Sequence, residues 1–157
     1  MEKFKKITTN LLIAFALISF GVMLGKNSVK PIESSVSKSN DNNGNYVAVY
    51  YLHSTFRCVT CNTIEKLTIN LLNSSYKNKL SNGEIKWQEI DFQENEAIAH
   101  KFNVIASCVV VGLVKNGEFV EYERMDDVWE LVNKPTEFYD HVSKVIDANL
   151  EKIEINE

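Results

Sequence analysis

With 157 residues, 45% of them hydrophobic and 24% charged, the chain has room for about one globular domain and lacks the composition of a disordered or fibrous protein. Its net charge of −4 hides a split: residues 1–40 carry six Lys/Arg against two acids, +4, and residues 41–157 carry eleven against nineteen, −8. A body at −8 with no Lys/Arg stripe is repelled by phosphate backbones, so nucleic acid is not an expected partner.

Residues 1–25 read as a membrane-targeting segment. Lys3, Lys5 and Lys6 precede a charge-free stretch from Ile7 to Gly25, apolar from Leu11 onward. Those 19 residues fall between the core of a cleaved signal, about 7–15 residues, and a spanning helix of about 20. Met23-Leu24-Gly25 offers a small residue at only one of the two positions that a cleavage site needs, and no lipidatable cysteine follows. An uncleaved anchor is therefore preferred over a cleaved signal, and the lysines at the start of the chain put the folded part outside the cytoplasm. Residues 26–45, rich in Ser, Asn and Lys, bury too little apolar surface to offset their ordering entropy. They read as a flexible linker reaching on the order of 25 Å.

Tyr46 to Leu52 is a continuous β-branched and aromatic run, which predicts a central strand covered on both faces. Ile64, Leu67, Leu71 and Leu72 then recur at helical spacing, predicting a helix that opens near Cys58 and runs to about Tyr76, with Gly83 in the loop after it. Glu84–Phe92 alternates like a strand (Ile85, Trp87, Ile90, Phe92), Asn95–Phe102 reads as a short helix, and Cys108–Val114 as a second buried strand. Asn116-Gly117 before Glu118–Glu123 signals a hairpin. A short helical piece with Trp129 and Leu131 leads to Pro135, suited to a helix's first turn. Phe138, Val142, Val145, Ile146, Leu150 and Ile153 then mark one face of a closing amphipathic helix.

After an N-terminal hydrophobic helix, the order is thus β-α-β-α-β-β-α over residues 46–157, an α/β domain with a central mixed sheet flanked by helices. That order, with Phe56-Arg57-Cys58-Val59-Thr60-Cys61 between the first strand and a long helix, resembles the thioredoxin superfamily across about residues 46–153. More narrowly, the stretch from Tyr51 to Cys61 resembles small membrane-anchored bacterial proteins of the nitrophenyl-compound nitroreductase subunit (ArsF) family.

Cys58 and Cys61 are the candidate catalytic residues. Unpaired N–H groups of a first helical turn stabilise a thiolate at the first cysteine, so Cys58 is the expected nucleophile and Cys61, one turn in, the resolving thiol. Arg57 is expected to lower the Cys58 pKa further, unless its side chain points to solvent. The mechanism is attack by Cys58 on a substrate disulfide and displacement of the product by Cys61, or the reverse, with no cofactor beyond the redox-active disulfide itself. A half zinc knuckle or a purely structural disulfide are the other meanings of such a pair, but there is no second CxxC.

The resemblance also locates two departures. Leu52 stands where thioredoxin has a buried carboxylate, and Cys108 stands where the superfamily has a cis-proline. Three readings remain open for Cys108: an inert core residue, a third redox or docking thiol facing the pair, or part of a metal, metalloid or iron–sulfur site with Cys58 and Cys61. A fourth ligand would have to come from His53, His100 or His141, none of which has ligand spacing to the pair. Tyr51 and Phe56 are candidates for an apolar docking rim or for the core, Trp129 for a cap on the last helix pair, and Asp126 and Asp127 for helix capping.

The expected function is an extracytoplasmic thiol–disulfide oxidoreductase or electron relay, whose partner is a protein thiol or disulfide or a membrane electron donor. A thiol-based metal carrier and a non-catalytic module of the same fold are the alternatives.

Overall fold

The computed structural model describes Met1 and residues 44–154. The chain divides between Asp41 and Asn42 into two units, and the elements below belong to the second. Met1 aside, the expected anchor over residues 1–25 lies outside the described residues, as does most of the expected linker. Among the described residues, no helix is long and apolar enough to cross a membrane.

The elements are β1 (Tyr46–His53), α1 (Val59–Ser75), α2 (Lys77–Ser81), β2 (Ile85–Asp91), α3 (Glu96–Phe102), β3 (Cys108–Lys115), β4 (Glu118–Met125), α4 (Val128–Leu131) and α5 (Pro135–Glu154). The expected order holds, with α2 as an addition. That short helix buries none of its residues, so it leaves no apolar periodicity in the sequence.

The four strands lie in the order β2-β1-β3-β4. β1 runs parallel to β2 and antiparallel to β3, and β3 and β4 form an antiparallel hairpin. β1 is buried from Val47 to Leu52, as its unbroken apolar run requires of a central strand. The hairpin turns through Asn116 (φ 53°) and Gly117 (φ 82°), the positive angles foreseen for the Asn-Gly pair. Gly112 permits the close approach of β4 to β3: a Cβ there would lie 2.5 Å from the Glu121 carbonyl oxygen.

Alternation along the strands divides the core into two clusters. On one face Val47, Val49, Tyr51, Val109, Val111 and Leu113 meet Ile64, Leu67, Leu71 and Leu72 of α1 and the predicted stripe of α5, where Phe138, Val142 and Ile146 are fully buried. On the other, Ala48, Tyr50, Leu52, Cys108, Val110 and Val114 pack under Phe102 and Val104. The expected strand over Glu84–Phe92 forms as β2, but its apolar residues divide between two faces: Ile85 and Trp87 belong to the α1 side, whereas Ile90, and Phe92 just after the strand, belong to the other. The apolar residues switch parity between Trp87 and Ile90, and the position next in line on the α1 side is Glu89.

Candidate functional site: the Cys58–Cys61 disulfide

β1 leads into the loop from Ser54 to Arg57. The loop is held by hydrogen bonds from Ser54 Oγ to the Phe56 carbonyl oxygen (2.9 Å) and from the Thr55 amide to Gln93 Oε1 (2.9 Å). Cys58 follows as the N-cap of α1, with an extended backbone (φ −85°, ψ 169°). Its Sγ accepts the Cys61 amide at 3.1 Å, and its carbonyl oxygen accepts the Asn62 amide at 3.1 Å. The sulfur thus occupies the place of a capping oxygen, facing the open amides of the first turn. Cys58 and Cys61 are joined as a disulfide, with Cα atoms 5.1 Å apart. Cys58 is exposed whereas Cys61 is buried, at 4% exposure. An incoming thiol or disulfide therefore meets Cys58 first.

Arg57 has a different role from the one expected. Its guanidinium pairs with Glu65 Oε2 at 2.8 Å and with Glu89 Oε1 at 2.9 Å, and lies over the Tyr51 ring at 5.5 Å from the centroid. With two carboxylates on it, this cation has little charge left to stabilise a Cys58 thiolate, which leaves that task to the amides of the α1 N-terminus. His53 Nε2 approaches the same Glu89 oxygen at 3.3 Å, and the Tyr51 hydroxyl donates to the Cys61 carbonyl oxygen at 2.7 Å. Burial pushes the Glu65 carboxyl pKa up, and the negative charge of Glu89 adds to the rise, against the lowering effect of Arg57.

The sequence reading passed over Glu65 and Glu89. Both carried a signal. Glu65 lies one helical turn after Cys61, and Glu89 continues the Ile85–Trp87 column of β2, as His53 continues the Val47–Val49–Tyr51 column of β1. Charged groups in columns that are otherwise apolar mark the end of the sheet where α1 begins.

Cys108 does not join the pair. It is fully buried opposite Leu52 across β1 and β3, in the cluster on the face of the sheet away from α1. Period-two alternation puts its side chain on the far side because Val109 faces α1. Burial drives its thiol pKa up to about 12, which suits the inert core residue among the three readings. Among the described residues, no three His, Cys, Asp or Glu groups are arranged to hold a metal ion. His141 pairs with Asp127 at 2.8 Å on the α5 side, and His53 is taken up by Glu89. Every peptide bond among the described residues is trans, including the one before Cys108.

Trp129, Asp126 and Asp127 depart from expectation, and Tyr51 and Phe56 divide between the two expected fates. Trp129 does not cap a helix pair: its Nε1–H donates to the Ser107 carbonyl oxygen at 2.6 Å, fastening the loop before β3. Asp126 binds Arg124 at 2.7 Å instead of capping α4, and Asp127 occupies the N-cap position without a side-chain cap bond because His141 holds its carboxylate. Tyr51 is fully buried, whereas Phe56 is 90% exposed. With Val59 and Ile105, exposed at 84% and 87%, Phe56 leaves apolar side chains uncovered at the end of the sheet where β1 stops and β3 starts.

No protein-family model matches the chain, and no curated protein does so. Among solved structures, it is similar to Fasciola hepatica thioredoxin, with 21% identity and a TM-score of 0.39 over 61% of this chain and 84% of that one. It is similar also to mitochondrial thioredoxin 3 from Saccharomyces cerevisiae in its oxidised form, at 17% identity and a TM-score of 0.40 over 62% and 77%. Trxlp from Edwardsiella tarda EIB202 gives 15% and 0.42 over 61% and 81%. These are likenesses of fold alone; the site's chemistry rests on the chain's own residues.

Proposed function

We propose that the chain is a thiol–disulfide oxidoreductase or electron relay in which Cys58 attacks and Cys61 resolves. The single observation that carries this reading is the asymmetry of the pair: an exposed sulfur capping the first turn of α1, bonded to a buried one a turn later. A structural staple gains nothing from an accessible sulfur placed against open helix amides, whereas a nucleophile gains a stabilised thiolate. Cys58 thiolate displaces one sulfur of a substrate disulfide, and Cys61 then displaces the other half as its thiolate. Run backwards, the same steps oxidise a dithiol.

The uncovered side chains of Phe56, Val59 and Ile105 favour a polypeptide as the partner, because a small polar thiol has no use for an apolar rim. The charge-free stretch Ile7–Gly25 behind three lysines supports a site outside the cytoplasm, tethered by residues 1–25 through a linker over 26–45, with a membrane electron donor as the alternative partner. The narrower likeness to the ArsF family rests on residues 51–61 and agrees with an anchored redox protein.

Two experiments test this. Redox titration of the purified protein is expected to give one two-electron midpoint that Cys58→Ser abolishes; a protein with no midpoint in the range of biological thiols contradicts it. In cells, Cys61→Ser is expected to accumulate a mixed disulfide through Cys58 with a membrane or extracytoplasmic protein, and capture of cytoplasmic proteins alone contradicts the location.

A further inference from the structure

A buried resolving thiol has a chemical requirement that Cys58 does not share. The attacking species is a thiolate, and Cys61, 4% exposed, has no ready access to water that would take its proton. The proton needs an acceptor supplied by the protein. Side chains on a helix lean toward its N-terminus, and residues four apart stand on one face with Cβ atoms roughly 5–6 Å apart. Glu65 is four residues after Cys61. That its side chain does run back toward the N-terminus is shown by its partner: Glu65 Oε2 meets the guanidinium of Arg57, a residue before the helix begins, at 2.8 Å. The carboxyl of Glu65 therefore lies alongside the turn that carries Cys61.

From this geometry we infer that Glu65 is the proton acceptor for Cys61, held in place by Arg57, when the resolving thiol closes the disulfide. The inference rests on the redox reading of the pair. In the step concerned, the Cys61 proton passes to the Glu65 carboxylate and the Cys61 sulfur forms a bond to Cys58 Sγ. The bond from Cys58 to the substrate sulfur breaks, and the substrate leaves as a thiolate with the electron pair. Cys58 and Cys61 are oxidised and the substrate disulfide is reduced. The reverse step begins with attack of a substrate thiolate on Cys58 Sγ, which displaces Cys61 as a thiolate, and ends with Glu65 returning the proton to that thiolate.

The surrounding groups suit that task. β1 contributes Tyr51 and His53, the loop contributes Arg57, and β2 contributes Glu89, which shares Arg57 with Glu65. Burial first, and the negative charge of Glu89 second, raise the Glu65 pKa against the pull of Arg57, in keeping with a group that accepts a proton. Arg57 keeps the acceptor in position, and its own charge never has to move.

The test separates the two thiols in one trace. The fully reduced protein is mixed with a limiting amount of an aromatic disulfide, each half of which is coloured when released. Attack by Cys58 frees the first half, and closure by Cys61 frees the second. In Glu65→Gln the first phase is expected to stay within about twofold of wild type, while the second slows by about 100-fold near neutral pH, the size of a lost general base. Its pH midpoint is expected to move up toward that of an unassisted thiol, about 8.5. Glu89→Gln, which removes the other partner of Arg57 and leaves the acceptor, is expected to keep the fast second phase. An unchanged second-phase profile in Glu65→Gln overturns the inference, and so does an equal slowing in Glu89→Gln, which would make the cluster a clamp on Arg57. Absence of both phases in wild type instead overturns the redox reading itself.

Discussion

Cys61 and Cys108 are both buried cysteines, yet the two regions that hold them differ in every respect that matters for reactivity. Cys61 sits on α1, bonded to an exposed sulfur, with Tyr51 donating to its carbonyl oxygen and the Glu65 carboxylate one turn further along the helix. Cys108 sits on β3 behind the sheet, among Leu52, Val110 and Phe102. Burial alone does not decide what a thiol does. The polar groups beside it do, and strand alternation puts Tyr51, His53 and Glu89 on the face where α1 brings Glu65.

The comparison breaks most completely at Cys58. Cys58→Ser is expected to bring turnover of a model protein disulfide down to the uncatalysed rate, measured by loss of substrate disulfide, with the melting behaviour of the reduced protein unchanged. The next largest effect belongs to the scaffold on the α1 side. Phe138 is fully buried between α5 and the sheet, so Phe138→Ala should cost about 3–5 kcal/mol in denaturant unfolding. Gly112→Ala acts on the other end of the sheet. Its Cβ meets the Glu121 carbonyl and the Phe119 and Tyr122 side chains of β4, so the hairpin must separate locally, at a cost of roughly 1–3 kcal/mol.

Cys108 sharpens the contrast by what it leaves unchanged. Cys108→Ala should cost roughly 1 kcal/mol of stability and leave activity within about twofold, measured in the same assays. Its pH dependence has a definite sign. The folded pKa is raised above the unfolded value, to about 12, so the folded state keeps a proton that the unfolded state releases. Stability is unaffected below the unfolded pKa, near 8.5–9, and falls as pH rises above it, with a limiting slope of about 1.4 kcal/mol per pH unit. Wild type is therefore expected to lose stability relative to Cys108→Ala between about pH 9 and about pH 12. Equal losses in the two proteins would place the thiol in contact with water.

Much of this was legible in the chain. The unbroken run of β1, the Asn116-Gly117 turn and the stripe from Phe138 to Ile153 are strong local signals because burial on two faces, positive φ and helical periodicity each demand particular residues. The position of Cys58 at a helix start followed from a strand ending and an apolar period of helix beginning on either side of it. What was not legible depends on which residues meet across the fold. Arg57 reads as a neighbour of Cys58 along the chain, but its charge is taken by Glu65 on α1 and Glu89 on β2. Cys108 reads as a third thiol until strand pairing opposite Leu52 sets its face. Trp129 reads as a helix cap, and its bond to Ser107 spans 22 residues of sequence.

The central claim is that one thiol attacks, one resolves and one stands apart. Timed alkylation of the fully reduced native protein at neutral pH, with each cysteine followed by peptide mass spectrometry, tests it most directly. The account predicts that Cys58 is modified first, Cys61 far more slowly, and Cys108 only after unfolding. Modification of Cys108 at a rate comparable to Cys58 in the native protein, or a Cys58 no faster than Cys61, would contradict it.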